Sequence, residues 1–178
     1  MNINELRRNK MTVANIILLI TATLTGLSAG LLFSYSCSVN LGLGRLGDSE
    51  YLSAMQSINK EILNPLFFVV FFGALVILPV SSYLNYTRPV SLRFLFLLIA
   101  SLVYAIGVFG VTSFGNVPLN DALAKINLQS SPPLEISRLR TIFEKPWNRL
   151  HSIRTVASVI SFVFVILACL NTSAVEAE

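Results

Sequence analysis

Charged residues are scarce in this chain, and four long stretches contain none at all. Only 12% of the 178 residues are Asp, Glu, Lys or Arg, whereas 54% are hydrophobic. The charge-free stretches span residues 11–44, 62–87, 94–120 and 155–175. A soluble domain mixes charged and apolar residues along each element, so this separation excludes an ordinary soluble fold. Each stretch can hold the roughly 20 apolar residues that a helix needs to cross a bilayer.

The stretches predict an all-α integral membrane protein, a four-helix bundle that forms a single membrane domain over residues 1–178. We place the transmembrane helices near residues 13–37, 63–84, 92–114 and 150–171. Four crossings bring both termini to one face of the membrane. The two long connections then lie together on the opposite face.

The connection between helices 3 and 4 has its own predicted elements. We expect Gly115–Asn120 to end helix 3, a basic helix to follow near 134–145, and Pro146 to be the first residue of helix 4. The connection between helices 1 and 2 becomes helix-prone from Asp48, and its apolar residues Tyr51, Met55, Ile58 and Ile62 recur at helical spacing. This predicts an amphipathic helix that runs into helix 2. Both connections would cover the same end of the bundle.

Cysteine and several catalytic motifs are also scarce or missing. Cys37 and Cys169 lie near the ends of helices 1 and 4, on opposite sides of the membrane, so we expect no disulfide between them. The sequence has no GxxxxGK[ST], no HExxH and no CxxC, so nucleotide-phosphate, zincin and dithiol chemistries lack support. No basic helix carries interleaved aromatic residues, and we therefore expect no nucleic-acid partner.

The charges that are present carry conflicting signals about orientation. Arg7, Arg8 and Lys10 precede helix 1 and favour cytoplasmic termini, whereas the larger number of basic residues in the long connections favours the reverse. We expect a multi-pass protein with both termini in the cytoplasm. The net charge of +4 fits contact with anionic membrane lipid.

Polar side chains gather where three predicted helices meet the face of the long connections. They are Gln56 and Asn59 before helix 2, Asn116 and Asn120 after helix 3, and Trp147, His151 and Arg154 at the start of helix 4. The last three recur at i, i+4 and i+7, which places them on one side of a helix. Polar groups beside hydrocarbon cost free energy unless they pair or face a cavity, so the cluster predicts a site. Helix capping or headgroup contact remains an alternative for each single residue.

His151 is the sole histidine of the chain. Imidazole is the natural general base near neutral pH. No second His and no Cys lies on the same helix face, so we predict no metal site. A haem held by one histidine stays open.

Three sequence blocks resemble the anthrone-oxygenase-like family, small four-helix membrane proteins of which many are catalogued only as a domain of unknown function. The blocks are Met55–Lys60 with Leu63–Pro65, then Gly115–Asn120, then the W-x3-H-x2-R of Trp147, His151 and Arg154, in the family's order. Residues 125–145 do not match the family's pattern. The resemblance implies the same fold, and its fungal members oxidise anthrones to anthraquinones with O₂ and without a bound redox cofactor.

The resemblance leads to the hypothesis of a membrane-embedded oxygenase for a flat, apolar, phenolic or enolisable substrate, with O₂ as co-substrate. The expected catalytic residues are His151, Arg154, Asn116 and Gln56, and the expected substrate-binding residues are Trp147, Asn59 and Asn120. His151 would remove the acidic proton, Arg154 and the carboxamides would hold the enolate, and Trp147 would stack on the ring.

A non-enzymatic role also stays open. The chain could be a small membrane subunit or a lipid-binding module that docks to a larger partner or to a second copy of itself. The glycine pairs Gly26/Gly30 and Gly107/Gly110 have the close spacing that suits contact between membrane helices.

Overall fold

The computed structural model describes residues 12–171, and these form five helices and no strand. The helices are α1 (Val13–Leu43), α2 (Asp48–Glu61), α3 (Pro65–Leu84), α4 (Leu92–Ala124) and α5 (Pro133–Leu170). All except α2 are long and apolar enough to cross a membrane. The prediction of an all-α bundle with four membrane helices is therefore confirmed. Arg7, Arg8 and Lys10, on which the predicted orientation depends, lie outside the described residues.

Short polar side chains set where three of the membrane helices begin. Thr12, Asn64 and Ser91 each accept a hydrogen bond from the backbone N–H three residues ahead, at 3.2, 3.0 and 3.2 Å. Each cap satisfies one of the backbone donors that a helix start leaves without a partner. Asn64 also lies between α2 and α3 and keeps them separate helices.

The membrane helices approach closely where glycine faces a neighbour. A Cβ at Gly107 would lie 2.6 Å from the Cβ of Ala157 on α5, and one at Gly26 would lie 3.0 Å from the Phe162 ring. These glycines therefore pack inside the chain, not against a partner. A Cβ at Gly30 would meet nothing within 4 Å.

The segment Gly26–Gly30 also has the G-x-S-x-G spacing of serine hydrolases. Its Ser28 lies in the middle of α1, 3.0 Å from the hydroxyl of Tyr104, which donates to the carbonyl oxygen of Phe71 at 3.1 Å. A hydrolase serine instead needs an exposed turn between a strand and a helix. Ser28 is a packing residue.

Two predicted helix boundaries are wrong. Gly115–Asn120 does not end the third membrane helix, because α4 continues through it to Ala124. Pro146 is not the first residue of a helix and lies inside α5, which runs without a break from the basic segment into the membrane. Proline lacks the N–H for one helical hydrogen bond. Burial of Phe143 and Trp147 on either side of Pro146 holds the two halves of the helix in line.

The amphipathic helix α2 covers one end of the bundle, together with residues 133–146 of α5; we call these two segments the roof. Tyr51 and Met55, on the predicted apolar face of α2, have no exposed surface. They pack in a cluster with Phe143 and Trp147 of α5. The apolar face predicted from the sequence is therefore the buried face.

Arg140 connects the two segments of the roof. The Nη1 of Arg140 donates to a carboxylate oxygen of Asp48 at 3.0 Å and to the carbonyl oxygen of Leu46 at 2.7 Å, and its Nε donates to Glu144 at 2.8 Å. The same guanidinium lies 4.5 Å from the centre of the Tyr51 ring. Arg140 thus gives the segment 125–145 a structural role.

Candidate functional site

A cavity of about 360 Å³ lies under the roof, between the ends of the membrane helices. This volume is within the range of roughly 300–1,000 Å³ found for small-molecule sites. Its polar lining includes most of the predicted site residues, namely Gln56, Asn59, Asn120, Trp147, His151 and Arg154. The rest of the wall is mainly aliphatic, from Leu31, Leu32, Ile58, Ile62, Leu63, Val117 and Ala124. It also includes Tyr35, Phe67, Thr112 and the charged residues Lys60 and Asp121.

Trp147, His151 and Arg154, which were predicted to share one side of a helix, form one stacked unit on α5. The rings of Trp147 and His151 are nearly parallel, with centroids 5.1 Å apart and an interplanar angle of 13°. The guanidinium carbon of Arg154 lies 5.2 Å from the centre of the Trp147 ring. Only 3% of Trp147 is exposed, so its stacking partner in the structure is His151.

Both ring nitrogens of His151 have protein partners. Its Nδ1 lies 3.1 Å from Nη2 and 3.3 Å from Nε of Arg154, and its Nε2 lies 2.8 Å from the hydroxyl of Ser36. A guanidinium can only donate, so Nδ1 must be the acceptor and the ring proton is assigned to Nε2. The Nε2–H then donates to Ser36, which donates to the carbonyl oxygen of Leu32 at 3.2 Å.

Within the described part of the chain Arg154 forms no ion pair, although the exposed Asp121 lines the same cavity. Its hydrogen-bond partners there are His151 and the hydroxyl of Thr112 at 3.5 Å, and the ion pairs found among residues 12–171 all involve Arg140. A cation in apolar surroundings without a counterion is costly. A negatively charged group bound beside Arg154 would offset this cost.

The carboxamides are engaged to different degrees. Both N–H bonds of Gln56 are used, because its Nε2 donates to the carbonyl oxygens of Leu123 at 2.9 Å and Ile126 at 3.0 Å. Gln56 thus ties α2 to the end of α4. Asn120 accepts from the indole N–H of Trp147 at 2.8 Å. The Nδ2 of Asn59 is buried with no hydrogen-bond partner among the described residues, so it remains a free donor.

Asn116 lies behind the cavity wall and not on it. It has no exposed surface, and its Nδ2 donates to the backbone carbonyl of Trp147 at 3.3 Å. Its predicted catalytic role therefore has no direct route to a ligand in this arrangement. Asn116 supports the position of Trp147.

The sequence reasoning missed the contribution of α1. Tyr35 lines the cavity, and Ser36 holds His151. Both lie in a π-helical turn at Tyr35–Val39, and another π turn, at Thr112–Asn116, contains the cavity residue Thr112. The only sequence signal was the run of polar residues from Ser34 to Ser38 at the end of an otherwise apolar helix.

The described residues offer no obvious metal centre. Among residues 12–171, no three His, Cys, Asp or Glu side chains lie close enough to share an ion. An axial haem ligand needs a free nitrogen lone pair, and that of His151 Nδ1 is directed to Arg154.

Comparison with known proteins gives one match. The family model described as anthrone oxygenase matches residues 67–164, which is more than half of the chain. No curated protein and no solved structure matches the chain. The matched segment contains Asn116, Asn120, Trp147, His151 and Arg154, whereas Gln56 and Asn59 lie before it. It also spans residues 125–145, which were expected to depart from the family's pattern.

Proposed function

The chain belongs to the anthrone oxygenase family, and we propose that it is a membrane-embedded oxygenase that oxidises a flat, apolar, phenolic or enolisable molecule of the anthrone type with O₂. The observation that carries this proposal is the charge of Arg154, which forms no ion pair among the described residues and lies at the wall of a mainly apolar cavity. An enolate or phenolate would supply the missing negative charge. The aliphatic walls would take its fused rings.

The proposed reaction balances without an added reductant. A base removes a proton from the methylene group of the anthrone, and the resulting enolate donates electrons to O₂. One oxygen atom becomes the new carbonyl of the quinone. The other leaves as water with the two methylene hydrogens. The electrons come from the substrate itself, so the proposal includes O₂ as co-substrate and no bound redox cofactor.

Arg154 and His151 would act in sequence. In the arrangement described above, the guanidinium occupies the lone pair of His151 Nδ1. A substrate oxygen that draws Arg154 toward itself would free this lone pair to accept the methylene proton. The charge that develops on the substrate would then lie beside a fixed cation, as in an oxyanion hole. Ser36 would hold the other side of the imidazole throughout.

The remaining predicted residues would act around this pair. Asn59 would donate its free N–H to the substrate, and Asn120 would hold Trp147. Trp147 would position His151 and Arg154 by stacking. Gln56 and Asn116 would maintain the walls through their backbone contacts.

The test uses purified protein in liposomes supplied with anthrone and O₂, with quinone absorbance and O₂ uptake as readouts. We expect His151→Ala and Arg154→Gln each to lower the rate above background by about 10²-fold or more, because one removes the base and the other the cation. Arg149→Gln is the matched control, since Arg149 is exposed on the same helix.

Each variant has a result that would contradict one part of the proposal. Unchanged turnover in His151→Ala would remove the histidine from the mechanism, and unchanged turnover in Arg154→Gln would remove the counterion argument. An equal loss in Arg149→Gln would show a non-specific charge effect. Wild-type protein that produces no quinone above background would contradict the proposed activity.

A further inference from the structure

Tyr35 lines the cavity, and the function proposed above gives it no role. It lies on α1, outside the segment that matches the family, and is the first residue of the π turn Tyr35–Val39. The residue lines the same cavity as Arg154 and His151. Its position is therefore set by this chain's own helix geometry.

The hydroxyl of Tyr35 has a weak partner. It donates to the sulfur of Met55 at 3.2 Å, its one hydrogen bond to the described residues. A thioether is a poor acceptor. By contrast, the buried Tyr104 donates to a backbone carbonyl oxygen. The Tyr35 hydroxyl can therefore exchange its sulfur partner for an oxygen at a net gain.

The ring of Tyr35 is held in place by the α5 unit. Its centroid lies 4.9 Å from that of His151, in an edge-on arrangement, and 5.4 Å from that of Trp147. The guanidinium of Arg154 lies against the same indole. Tyr35 of α1 and Arg154 of α5, both hydrogen-bond donors, thus lie against the same Trp147 ring at the cavity wall.

We propose that the Tyr35 hydroxyl donates a hydrogen bond to an oxygen of the bound ligand and so makes the cavity selective for oxygenated fused-ring compounds over hydrocarbons of the same outline. This proposal rests on the proposed function, because it takes the aromatic ketone or phenol as the ligand class. A lipid chain in the same cavity would leave the hydroxyl on the Met55 sulfur. The side chain would be a substrate-binding residue, in direct contact with the ligand.

Tryptophan fluorescence can report ligand binding in this cavity. Trp147 is the only tryptophan of the chain, and it lies at the cavity wall. Quenching of its fluorescence in detergent-purified full-length protein would follow the binding of two probes, 9,10-anthraquinone and anthracene, which share a fused-ring outline and differ in their carbonyl oxygens. The test variant is Tyr35→Phe. The matched control is Tyr83→Phe, at a tyrosine that is 79% exposed.

We expect Tyr35→Phe to weaken anthraquinone binding by about tenfold, the effect of one hydrogen bond of about 1.4 kcal/mol. Anthracene binding should stay unchanged, because the hydrocarbon accepts no hydrogen bond. Tyr83→Phe should change neither affinity. Anthrone turnover by Tyr35→Phe should show the loss in KM more than in kcat, since the contact is present in the bound ground state.

The outcomes separate this proposal from the proposed function. Equal anthraquinone affinities in wild type and Tyr35→Phe would overturn the role of Tyr35 and leave the oxygenase proposal intact. An equal loss for anthracene would also overturn it, because it would indicate damage to the cavity. A selective loss of anthraquinone binding in a protein that does not oxidise anthrone would support Tyr35 and contradict the activity. Wild-type protein that binds neither probe would overturn both.

Discussion

At the residue scale, Arg93 and Arg154 differ in their hydrogen-bond partners, and this difference distinguishes a structural charge from a functional one. Arg93 is buried, but its Nε donates to the carbonyl oxygens of Ala168 at 3.2 Å and Asn171 at 2.6 Å, at the end of α5. The negative end of the helix dipole therefore stabilises its charge. Arg154 contacts neutral acceptors beside a cavity. The residue type is the same, and the surroundings decide the role.

Two fully buried tyrosines give a matched prediction about stability. The hydroxyl of Tyr104 bonds to Ser28 and Phe71, whereas that of Tyr51 has no hydrogen-bond partner among the described residues. We expect Tyr104→Phe to lower the free energy of unfolding by about 1–2 kcal/mol and Tyr51→Phe to leave it unchanged or raise it slightly. Unfolding in mixed detergent micelles measures both. Equal losses would contradict the assigned hydrogen bonds.

Tyr51 also predicts a dependence of stability on pH. Burial, with a smaller contribution from Glu144, raises the pKa of Tyr51 above its ordinary value. A raised pKa in the folded state means that Tyr51 causes no pH dependence of stability below its unfolded pKa of about 10 and lowers stability as the pH rises further, because the unfolded chain then ionises more readily. Tyr51→Phe should therefore lose less stability than wild type between neutral pH and strongly alkaline pH. An identical alkaline decline in the two proteins would rule this out.

At the element scale, the π turns decide which side chains reach the site. A helix of constant period predicts the stripe of Trp147, His151 and Arg154, because i, i+4 and i+7 share a face. A π turn changes the angle between residues before and after it, and such turns are common at functional sites. Tyr35 and Thr112 lie in π turns, and a regular helical period could not predict their direction.

The contact between α4 and α5 gives the prediction at this scale. Gly107→Ala would place a Cβ 2.6 Å from that of Ala157, so the helices must separate. We expect a loss of about 1–3 kcal/mol in the free energy of unfolding. Gly30→Ala is the same chemical change at a position with open space, and we expect it to stay within about 0.5 kcal/mol of wild type. Similar losses in both variants would mean that α4 and α5 do not depend on this close approach.

At the scale of the whole molecule, all the groups of the candidate site lie at one end of the bundle. The roof covers this end, and the turn between α3 and α4 lies at the other. The predicted cytoplasmic placement of the termini therefore puts the site toward the opposite side of the membrane. Substrate supply would depend on this orientation.

Cysteine labelling tests the orientation. In a chain with Cys37→Ser and Cys169→Ala, a single cysteine is introduced by Val90→Cys in the short turn or by Gln129→Cys next to the roof; both positions are exposed. In intact cells we expect a membrane-impermeant maleimide to label Gln129→Cys and to spare Val90→Cys. The reverse pattern would place the termini outside. Labelling of both from outside would contradict the arrangement of crossings.

The sequence by itself determined the four membrane helices, the amphipathic α2 and the stripe of Trp147, His151 and Arg154, because hydropathy and helical period are local properties. Only the tertiary structure decided what these groups can do. The hydrogen bond between Ser36 and His151 joins positions 115 residues apart. Hydrogen bonds to distant backbone carbonyls likewise hold Gln56 and Asn116 in structural roles. Hydrogen-bond partners depend on which helices face each other. For that reason the cavity, the unbalanced charge of Arg154 and the hydroxyl of Tyr35 became visible only in the folded chain.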